Sequence, residues 1–387
     1  MNKYFFPSVI IATSMFVFSS CETEVDLTAP YASTTVVFGL LDPQADTQFV
    51  KINKTFLGDG NLNEYAMIRD SSEYKWEEFS SLRIEEYATG NPNPIVTHYL
   101  TPITINNKDV NGMFYGPEQT VYYFPTPAGG LNTDRKYKLV ADFVSRPDVF
   151  AWTNVIPSAT IQFNTPPSPA PGSNPISGIA LAANTSSGTI NYNESVNIKW
   201  GPIDLSNAEI YDIVLRFYYT EKTYADNALT QEISSVPKFI EWQLGIFNKD
   251  DLPKQGNFYV VTFNGESFFS YLGSKLEANP RIRRVVGEYL DGKTRAFEIR
   301  LGLANDELKT WINVNNPVTG IIQERPNYTN IVGGLGLFAS RASATMTNIP
   351  LESGNFKGNI NALMYGSYTS DLNFCDPNPN NGQYSCN

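Results

Sequence analysis

Histidine is nearly absent from this sequence, and cysteine is scarce. The chain contains one histidine, His98, and three cysteines, Cys21, Cys375 and Cys386. A Ser-His-Asp or Cys-His catalytic unit would have to use His98, which lies in the strand-like run Ile95–Tyr99 and has no Gly-x-Ser-x-Gly motif to accompany it. One histidine and two cysteines cannot supply the four ligands of a structural zinc ion. We therefore interpret His98 as a strand residue and predict neither a catalytic nor a zinc-binding role.

Charge is also low, and basic residues are the minority. Charged residues make up 17% of the chain, with 28 Lys and Arg against 39 Asp and Glu, for a formal net charge of -11. Nucleic-acid binding requires Lys and Arg to neutralise phosphates, so we predict no nucleic-acid partner. An anionic lipid surface would repel this chain for the same reason. Attachment to a membrane would therefore need a lipid anchor.

The sequence also lacks a convincing cofactor motif. Gly334-x-Gly336-x-x-Ala339 matches the text of a dinucleotide fingerprint, but the following run, Arg341–Ile349, has an extended pattern where that fold requires a helix. We interpret the glycines as sites of close backbone packing within a strand. The sequence therefore predicts no cofactor.

Adjacent acidic residues are the remaining candidates for catalysis. Two carboxylates about 5–9 Å apart can hydrolyse a glycosidic bond. Neighbouring residues on a strand point to opposite faces, so none of the adjacent pairs is well arranged by itself. These pairs are Glu77-Glu78, Glu85-Glu86 and Asp250-Asp251. A secreted, glycosidase-like hydrolase built from distant carboxylates stays open as an alternative to a non-enzymatic protein.

The first 20 residues have the pattern of a secretory signal peptide. Lys3 provides a basic start, and the apolar run Val9–Phe18 is shorter than the about 20 residues that a spanning helix needs. The segment Phe18-Ser19-Ser20-Cys21 resembles a bacterial lipobox, in which the cysteine is lipidated. We therefore predict a signal peptide over 1–20, a lipid anchor on Cys21 and a tether over 21–33. The membrane is then a partner through that lipid.

The residues after Cys21 are acidic. Glu22, Glu24 and Asp26 resemble the export tags of surface lipoproteins, and a solvated acidic linker is the alternative. The first interpretation predicts exposure on the cell surface.

Lipidation of Cys21 leaves Cys375 and Cys386 as a pair. An odd cysteine in an exported protein needs an explanation, and oxidation is expected after export. We predict a disulfide between Cys375 and Cys386 that closes a C-terminal tail over 371–387. Inside this tail, Asp376, Asn378 and Asn380 place oxygen ligands at alternate positions, as in a calcium loop, but no Glu closes the pattern. A turn-rich loop is our main interpretation, and a calcium site is the alternative.

The remaining chain predicts a mainly β fold. Short alternating runs separated by turn signals favour an immunoglobulin-like β-sandwich over 34–164. Residues 165–176, with five prolines in the first eleven positions, predict a semi-rigid linker. We expect a second β-rich domain over 177–370 with about two inserted helices.

The two predicted helices of the second half have clear signals. Glu266–Leu276 places apolar residues at helical spacing, and Asn305 with Asp306 is typical of a helix start. The run Ala362–Tyr368 is expected to form a final strand.

Several tyrosines are candidates for a binding platform that stacks against sugars or contacts a protein. Because strand residues alternate between faces, about half of them should simply be core, and we favour the core interpretation. The candidates are Tyr115, Tyr122, Tyr123, Tyr218 and Tyr219.

Three segments resemble a family of Bacteroidota outer-membrane lipoproteins of unknown function. They are Val36–Pro43, Asp306–Ile312 and Gln323–Phe338. The resemblance implies an outer-membrane lipoprotein with an N-terminal immunoglobulin-like domain, and it implies no catalytic residues and no cofactor. We therefore predict a surface lipoprotein that binds a partner or acts beside an outer-membrane transporter. A structural component of the envelope is a further alternative.

Overall fold

The computed structural model describes residues 33–57, 61–157, 161–184, 189–315, 327–354 and 357–386. The predicted signal peptide, the lipidation site Cys21 and the tether up to residue 32 lie outside the described residues. Strands account for most of the regular structure, so the prediction of a mainly β fold is confirmed. In the described part of the chain, no helix is long and apolar enough to span a bilayer.

The strands and helices are numbered here in chain order. The strands of the first half are β1 (Thr35–Leu41), β2 (Thr47–Lys54), β3 (Phe79–Tyr87), β4 (Val96–Tyr99), β5 (Thr101–Asn106), β6 (Glu118–Pro125), β7 (Lys136–Phe143), β8 (Val149–Asn154) and β9 (Gln162–Thr165). Those of the second half are β10 (Ala182–Asn184), β11 (Ile190–Tyr192), β12 (Val196–Gly201), β13 (Ile210–Tyr224), β14 (Glu232–Asn248), β15 (Lys254–Gln255), β16 (Phe258–Phe263), β17 (Ile282–Val286), β18 (Glu288–Leu290), β19 (Lys293–Ala304), β20 (Leu335–Pro350) and β21 (Phe374–Cys375). The α-helices are α1 (Leu62–Ala66), α2 (Arg69–Ser72), α3 (Gly265–Lys275), α4 (Asp306–Asn315) and α5 (Gly358–Tyr365).

The N-terminal half is a sandwich of two antiparallel sheets. One sheet has the order β1-β2-β6-β5 and the other β4-β3-β7-β8. This strand order is that of the immunoglobulin-like fold, so the predicted architecture is confirmed. The period of two explains the packing: Val50 and Ile52 of β2 are buried between the sheets, and Phe49, the residue before Val50, points outward.

One long strand joins the two halves. Over its first six residues β20 pairs in parallel with β1, from Val36 opposite Leu335 to Leu41 opposite Ser340. The rest of β20 pairs with β19, so an 11-stranded sheet runs through both predicted domains. Phe338 accordingly packs in the N-terminal core, and Met346 of the same strand packs in the C-terminal core. From the sequence we predicted two separate β-rich domains, and a strand shared by both was not predicted.

The glycines of the dinucleotide-like motif allow the parallel pairing of β1 and β20. A Cβ at Gly336, whose φ is +109°, would lie 2.0 Å from the Val37 carbonyl oxygen. A Cβ at Gly334 would lie 2.7 Å from the Thr35 carbonyl oxygen. The interpretation as close backbone packing is therefore confirmed.

The C-terminal half covers the inner face of the shared sheet with a second layer. That layer contains the sheet β15-β16-β12-β9 and the helices α3 and α5. Trp200 and Tyr259 of the small sheet, Phe268 of α3 and Leu363 of α5 are all buried in one core.

Both helices predicted for the second half are present, and α5 of that half and the short helices α1 and α2 were not predicted. The side chain of Asn264 accepts a hydrogen bond from the Glu266 N–H and so caps α3. The side chain of Asn305 accepts a hydrogen bond from the Leu308 N–H and so caps α4. The expected strand near Ala362–Tyr368 was wrong, because α5 occupies Gly358–Tyr365. A short apolar run such as Ile360–Met364 fits a buried helix as well as a buried strand.

The proline-rich segment predicted as a linker is bound to the C-terminal half. The Arg295 guanidinium donates a 2.6 Å hydrogen bond to the Pro175 carbonyl, and Asn174 donates to Asp291 at 2.7 Å. At the C-terminus, Cys375 and Cys386 form a disulfide with a Cα–Cα distance of 4.9 Å, which confirms the predicted pair.

Candidate functional site

The face of the 11-stranded sheet that points away from both cores is called the outer face here. Side chains alternate across a strand, so the neighbours of buried residues in β1, β2, β13 and β19 lie on this face. At its N-terminal end the side chains are mainly apolar, and at its C-terminal end they are charged or aromatic. This difference along one continuous sheet defines two candidate surfaces.

The first surface is the apolar end, defined by Phe38, Phe49, Ile103, Tyr123 and Leu335. The exposed fractions of the four non-tyrosine side chains run from 41% for Ile103 to 49% for Phe49. The rings of Phe49 and Tyr123 lie 6.2 Å apart on neighbouring strands. Lys51 of β2 lies opposite Phe38, so this surface combines exposed apolar side chains with one basic side chain. Exposed apolar side chains gathered on one face, with polar residues among them, are a feature of interaction sites.

A cleft, called the tryptophan cleft here, lies beside the apolar end and shares Ile103 with it. It encloses about 450 Å³, with Trp76, Pro102 and Tyr122 among its walls. The Trp76 ring is 44% exposed and stacks on the ring of Tyr122 at 6.2 Å. Exposed tryptophan beside an apolar surface is typical of the residues that contribute most to protein interfaces.

Buried Glu73 gives this cleft a fixed wall. Its carboxylate accepts hydrogen bonds from Lys51 at 2.8 Å, from Arg69 at 3.0 Å and from the Thr120 backbone. Burial acts to raise the pKa of Glu73, but the hydrogen bonds from Lys51 and Arg69 outweigh burial and the pKa is lowered. Glu73 is therefore a charged structural anchor that holds α2 against β2 and β6.

The second surface is the charged end, defined by Arg216, Tyr218, Phe239, Glu241 and Glu298. The Arg216 guanidinium pairs with Glu241 at 2.5 Å and with Glu298 at 3.3 Å, and it lies 4.7 Å from the centre of the Phe239 ring. The Tyr218 hydroxyl donates a 2.9 Å hydrogen bond to Glu298. These contacts fix both aromatic rings relative to the two carboxylates.

The tyrosine candidates divide as strand alternation predicts. Tyr122 and Tyr219 are buried in the two cores, while their neighbours Tyr123 and Tyr218 face outward on the shared sheet. Tyr115 is half-buried, with Arg69 6.0 Å from the centre of its ring. The core interpretation is confirmed for two of the five tyrosines, and two belong to the outer face.

His98 lies on β4, as predicted, and makes a local contact with a carboxylate. Its Nε2 is 2.6 Å from Oε1 of buried Glu86, and its ring stacks on Phe124 at 4.6 Å. Arg135 donates to the same carboxylate at 2.7 Å. Burial acts to raise the pKa of Glu86, but the hydrogen bonds from His98 and Arg135 outweigh it and lower the pKa. The cluster links β3 and β4 to Arg135, which lies directly before β7, and the His98 ring packs on β6 of the other sheet.

The carboxylate candidates do not form a facing pair from neighbouring residues. Glu85 is bound by Arg83 and by the Tyr87 hydroxyl, both at 2.7 Å, and so is held apart from Glu86 and its partners. Asp250 and Asp251 lie together in a single 3₁₀ turn.

Two acids from distant segments, Glu352 and Asp376, line one cavity of about 220 Å³. Glu352 accepts hydrogen bonds from the Asn359 and Ile360 backbone N–H groups at the start of α5, at 3.3 and 2.8 Å. Burial raises the pKa of Glu352 to about 7. Asp376 is buried and binds Thr294 and Asn381, so it anchors the tail. The hydrogen bonds of both acids link structural elements to each other.

The candidate calcium ligands already accept hydrogen bonds within the tail. One carboxylate oxygen of Asp376 accepts from the Asn378 backbone at 2.9 Å, and the Asn378 side chain accepts from the Asn380 backbone at 3.0 Å. These contacts are Asx turns, as the turn-rich interpretation expects. Among the described residues, no three His, Cys, Asp or Glu side chains are grouped so that they could hold a metal ion.

No family model matches the chain, and no curated protein matches it. The resemblance to Bacteroidota outer-membrane lipoproteins therefore stays a prediction from sequence.

Proposed function

We propose that this protein is a lipid-anchored surface lipoprotein of the outer membrane, and that its apolar end docks onto an integral outer-membrane protein. The partner would be a protein such as an outer-membrane transporter, and this lipoprotein would be its accessory component. The single observation that carries the proposal is the presence of four half-exposed apolar side chains on the outer face, Phe38, Phe49, Ile103 and Leu335.

The position of the apolar end relative to the predicted anchor supports this partner. The chain enters the sheet at Thr35, next to Val36, which is paired with Leu335. From Cys21 to Thr35 an extended chain spans at most about 50 Å. A surface that close to the anchor meets proteins of the same membrane before it meets any soluble partner.

The composition of the surface supports a protein partner over a lipid one. Phe38, Phe49 and Tyr123 supply aromatic contact area, and the tryptophan cleft adds Trp76 with Arg69 at its edge. Interfaces between proteins are enriched in aromatic residues and Arg. A bilayer would need no such cleft.

The experiment is a comparative capture from membranes. The mature lipidated protein and its Phe49→Ser, Ile103→Ser double variant are expressed in the native cell, crosslinked and recovered with their partners. We expect the wild type to recover one integral outer-membrane protein and the variant to recover it much more weakly. The matched control is Ile233→Ser, since Ile233 is an exposed apolar residue on the distant strand β14. Equal recovery by the wild type and the double variant would exclude the apolar end as the docking surface.

A further inference from the structure

A second cleft lies at the opposite end of the shared sheet, beside the charged end. It is formed between the β13–β14 hairpin and the β18–β19 turn and encloses about 450 Å³. Tyr218 and Pro237 line one side, Glu288 and Leu290 line the other, and Glu298 lies among its lining residues. This volume is in the range of pockets that hold small ligands.

The floor of this cleft is held in place by satisfied polar contacts. Buried Arg295 donates hydrogen bonds to the Pro175 and Asn348 carbonyls at 2.6 and 2.8 Å. Glu298 accepts from Tyr218 at 2.9 Å and from Arg216 at 3.3 Å. A ligand would therefore meet a preorganised surface, which reduces the entropy lost on binding.

The rim of the cleft carries polar groups that are open to a ligand. The side chains of Thr220, Glu288 and Thr347 line the cleft and make no hydrogen bond or ion pair to the rest of the described chain. Together they offer two hydroxyl groups and one carboxylate around the Tyr218 ring.

The charges of the cleft favour a neutral ligand over a strongly charged one. Its lining contains two basic residues, Lys238 and Arg295, and two acidic residues, Glu288 and Glu298, so the formal charges cancel. Lys238 is paired with Glu221 at 2.5 Å, which further reduces its attraction for an anion. A neutral ligand rich in hydroxyl groups suits such a lining, because carboxylates and hydroxyls accept its hydrogen bonds while an aromatic ring covers its C–H face.

We propose that this cleft binds a neutral oligosaccharide, with one sugar ring against Tyr218 and its hydroxyls bonded to Glu298, Glu288 and the rim threonines. Phe239, half-exposed and 5.8 Å from the Tyr218 ring, extends the aromatic surface for a second sugar ring. This site is separate from the apolar end, so partner docking and saccharide binding are independent properties.

The test uses the mature lipidated protein in a detergent whose headgroup contains no sugar. The protein is applied to a printed array of neutral and acidic glycans, and the strongest neutral oligosaccharide is then titrated by calorimetry. We expect retention of neutral glycans. We also expect Tyr218→Ala to weaken binding about two- to tenfold, because the substitution removes the aromatic ring that covers the first sugar.

Two further variants separate binding from folding. Tyr218→Phe keeps the ring and should retain most of the affinity, and Tyr365→Ala removes an exposed tyrosine outside the cleft and should change nothing. Thermal unfolding of each variant checks that the fold is intact. The proposal is overturned if the array retains no neutral glycan, or if Tyr218→Ala and Glu298→Gln bind like the wild type. Capture of the membrane partner should be unaffected by Tyr218→Ala, which distinguishes this result from a failure of the docking proposal.

Discussion

Gly39 of β1 and Phe338 of β20 face each other across a parallel pair of strands that joins the two halves of the molecule. A Cβ placed on Gly39 would lie 3.0 Å from the Phe338 ring and 3.2 Å from Val50. This contact is tighter than ordinary packing, so the two halves meet in a closely fitted core.

Gly39→Ala should therefore destabilise the protein. We expect the free energy of unfolding to fall by about 1–3 kcal/mol, the usual cost of overpacking a core, measured by chemical denaturation of the mature chain. The matched control is Gly302→Ala in β19, where a Cβ would meet only Asp212 at 3.6 Å. Equal stability of the two variants would contradict the close fit between β1 and β20.

This shared strand shows where prediction from sequence reached its limit. The faces of β2 were predictable, because burial of Val50 and Ile52 follows from the period of two. Helix α3 was predictable from the helical spacing of apolar residues over Glu266–Leu276, and the start of α4 was predictable from Asn305, which caps its own helix. The pairing of Val36 with Leu335 was not, since no local pattern specifies which distant strand lies beside β1.

The same limit applies to the candidate sites. Alternation predicted that one of Tyr218 and Tyr219 would be core, but not that Tyr218 would contact Glu298 and share a cleft with Glu288. The apolar end combines Phe38, Phe49 and Ile103 from separate strands, and each of them alone resembles an ordinary strand residue. A surface that combines residues from strands distant in sequence can be recognised only when the order of the strands in the sheet is known.

The C-terminal disulfide should stabilise the tail against the core. Phe374, next to Cys375, is buried in the C-terminal core, and the bridge closes a loop with a sequence separation of 11. Replacing both cysteines by serine should lower the free energy of unfolding by about 3 kcal/mol on the loop-entropy model. Urea denaturation of the oxidised wild type and the double variant provides the measurement. An unchanged midpoint would show that the tail docks without the bridge.

Glu352 should make stability depend on pH. Its pKa is raised by burial to about 7, so between pH about 4.5 and 7 the folded state binds more protons than the unfolded state. Stability is therefore lost as the pH rises through this window. Glu352→Gln removes the cost of ionising this buried carboxyl. The melting temperature of the variant relative to the wild type should therefore increase from pH 5 to pH 8.

The control for this pH series is Glu194→Gln, which changes an exposed carboxyl and should give a constant difference from the wild type. If the melting temperature of Glu352→Gln relative to the wild type stays constant or falls as the pH rises, burial does not hold this carboxyl protonated.

The predicted lipid anchor can be tested by one substitution. Cys21→Ser removes the thiol that the lipid would modify, so the protein should lose fatty-acid labelling and leave the membrane fraction. Fractionation of cells grown with a labelled fatty acid gives both readouts. A variant that is still labelled and still bound to the membrane would refute the anchor, and the pair Cys375 and Cys386 would be unaffected in either case.

Site-specific photo-crosslinking in living cells tests the docking proposal most directly. A photoreactive amino acid is placed at Phe49 on the apolar end, and as a control at Ile233 on β14. We expect a crosslink from position 49 to one integral outer-membrane protein, with none to that protein from position 233. Crosslinks from position 49 only to lipid, or equal crosslinks from both positions, would contradict docking through the apolar end.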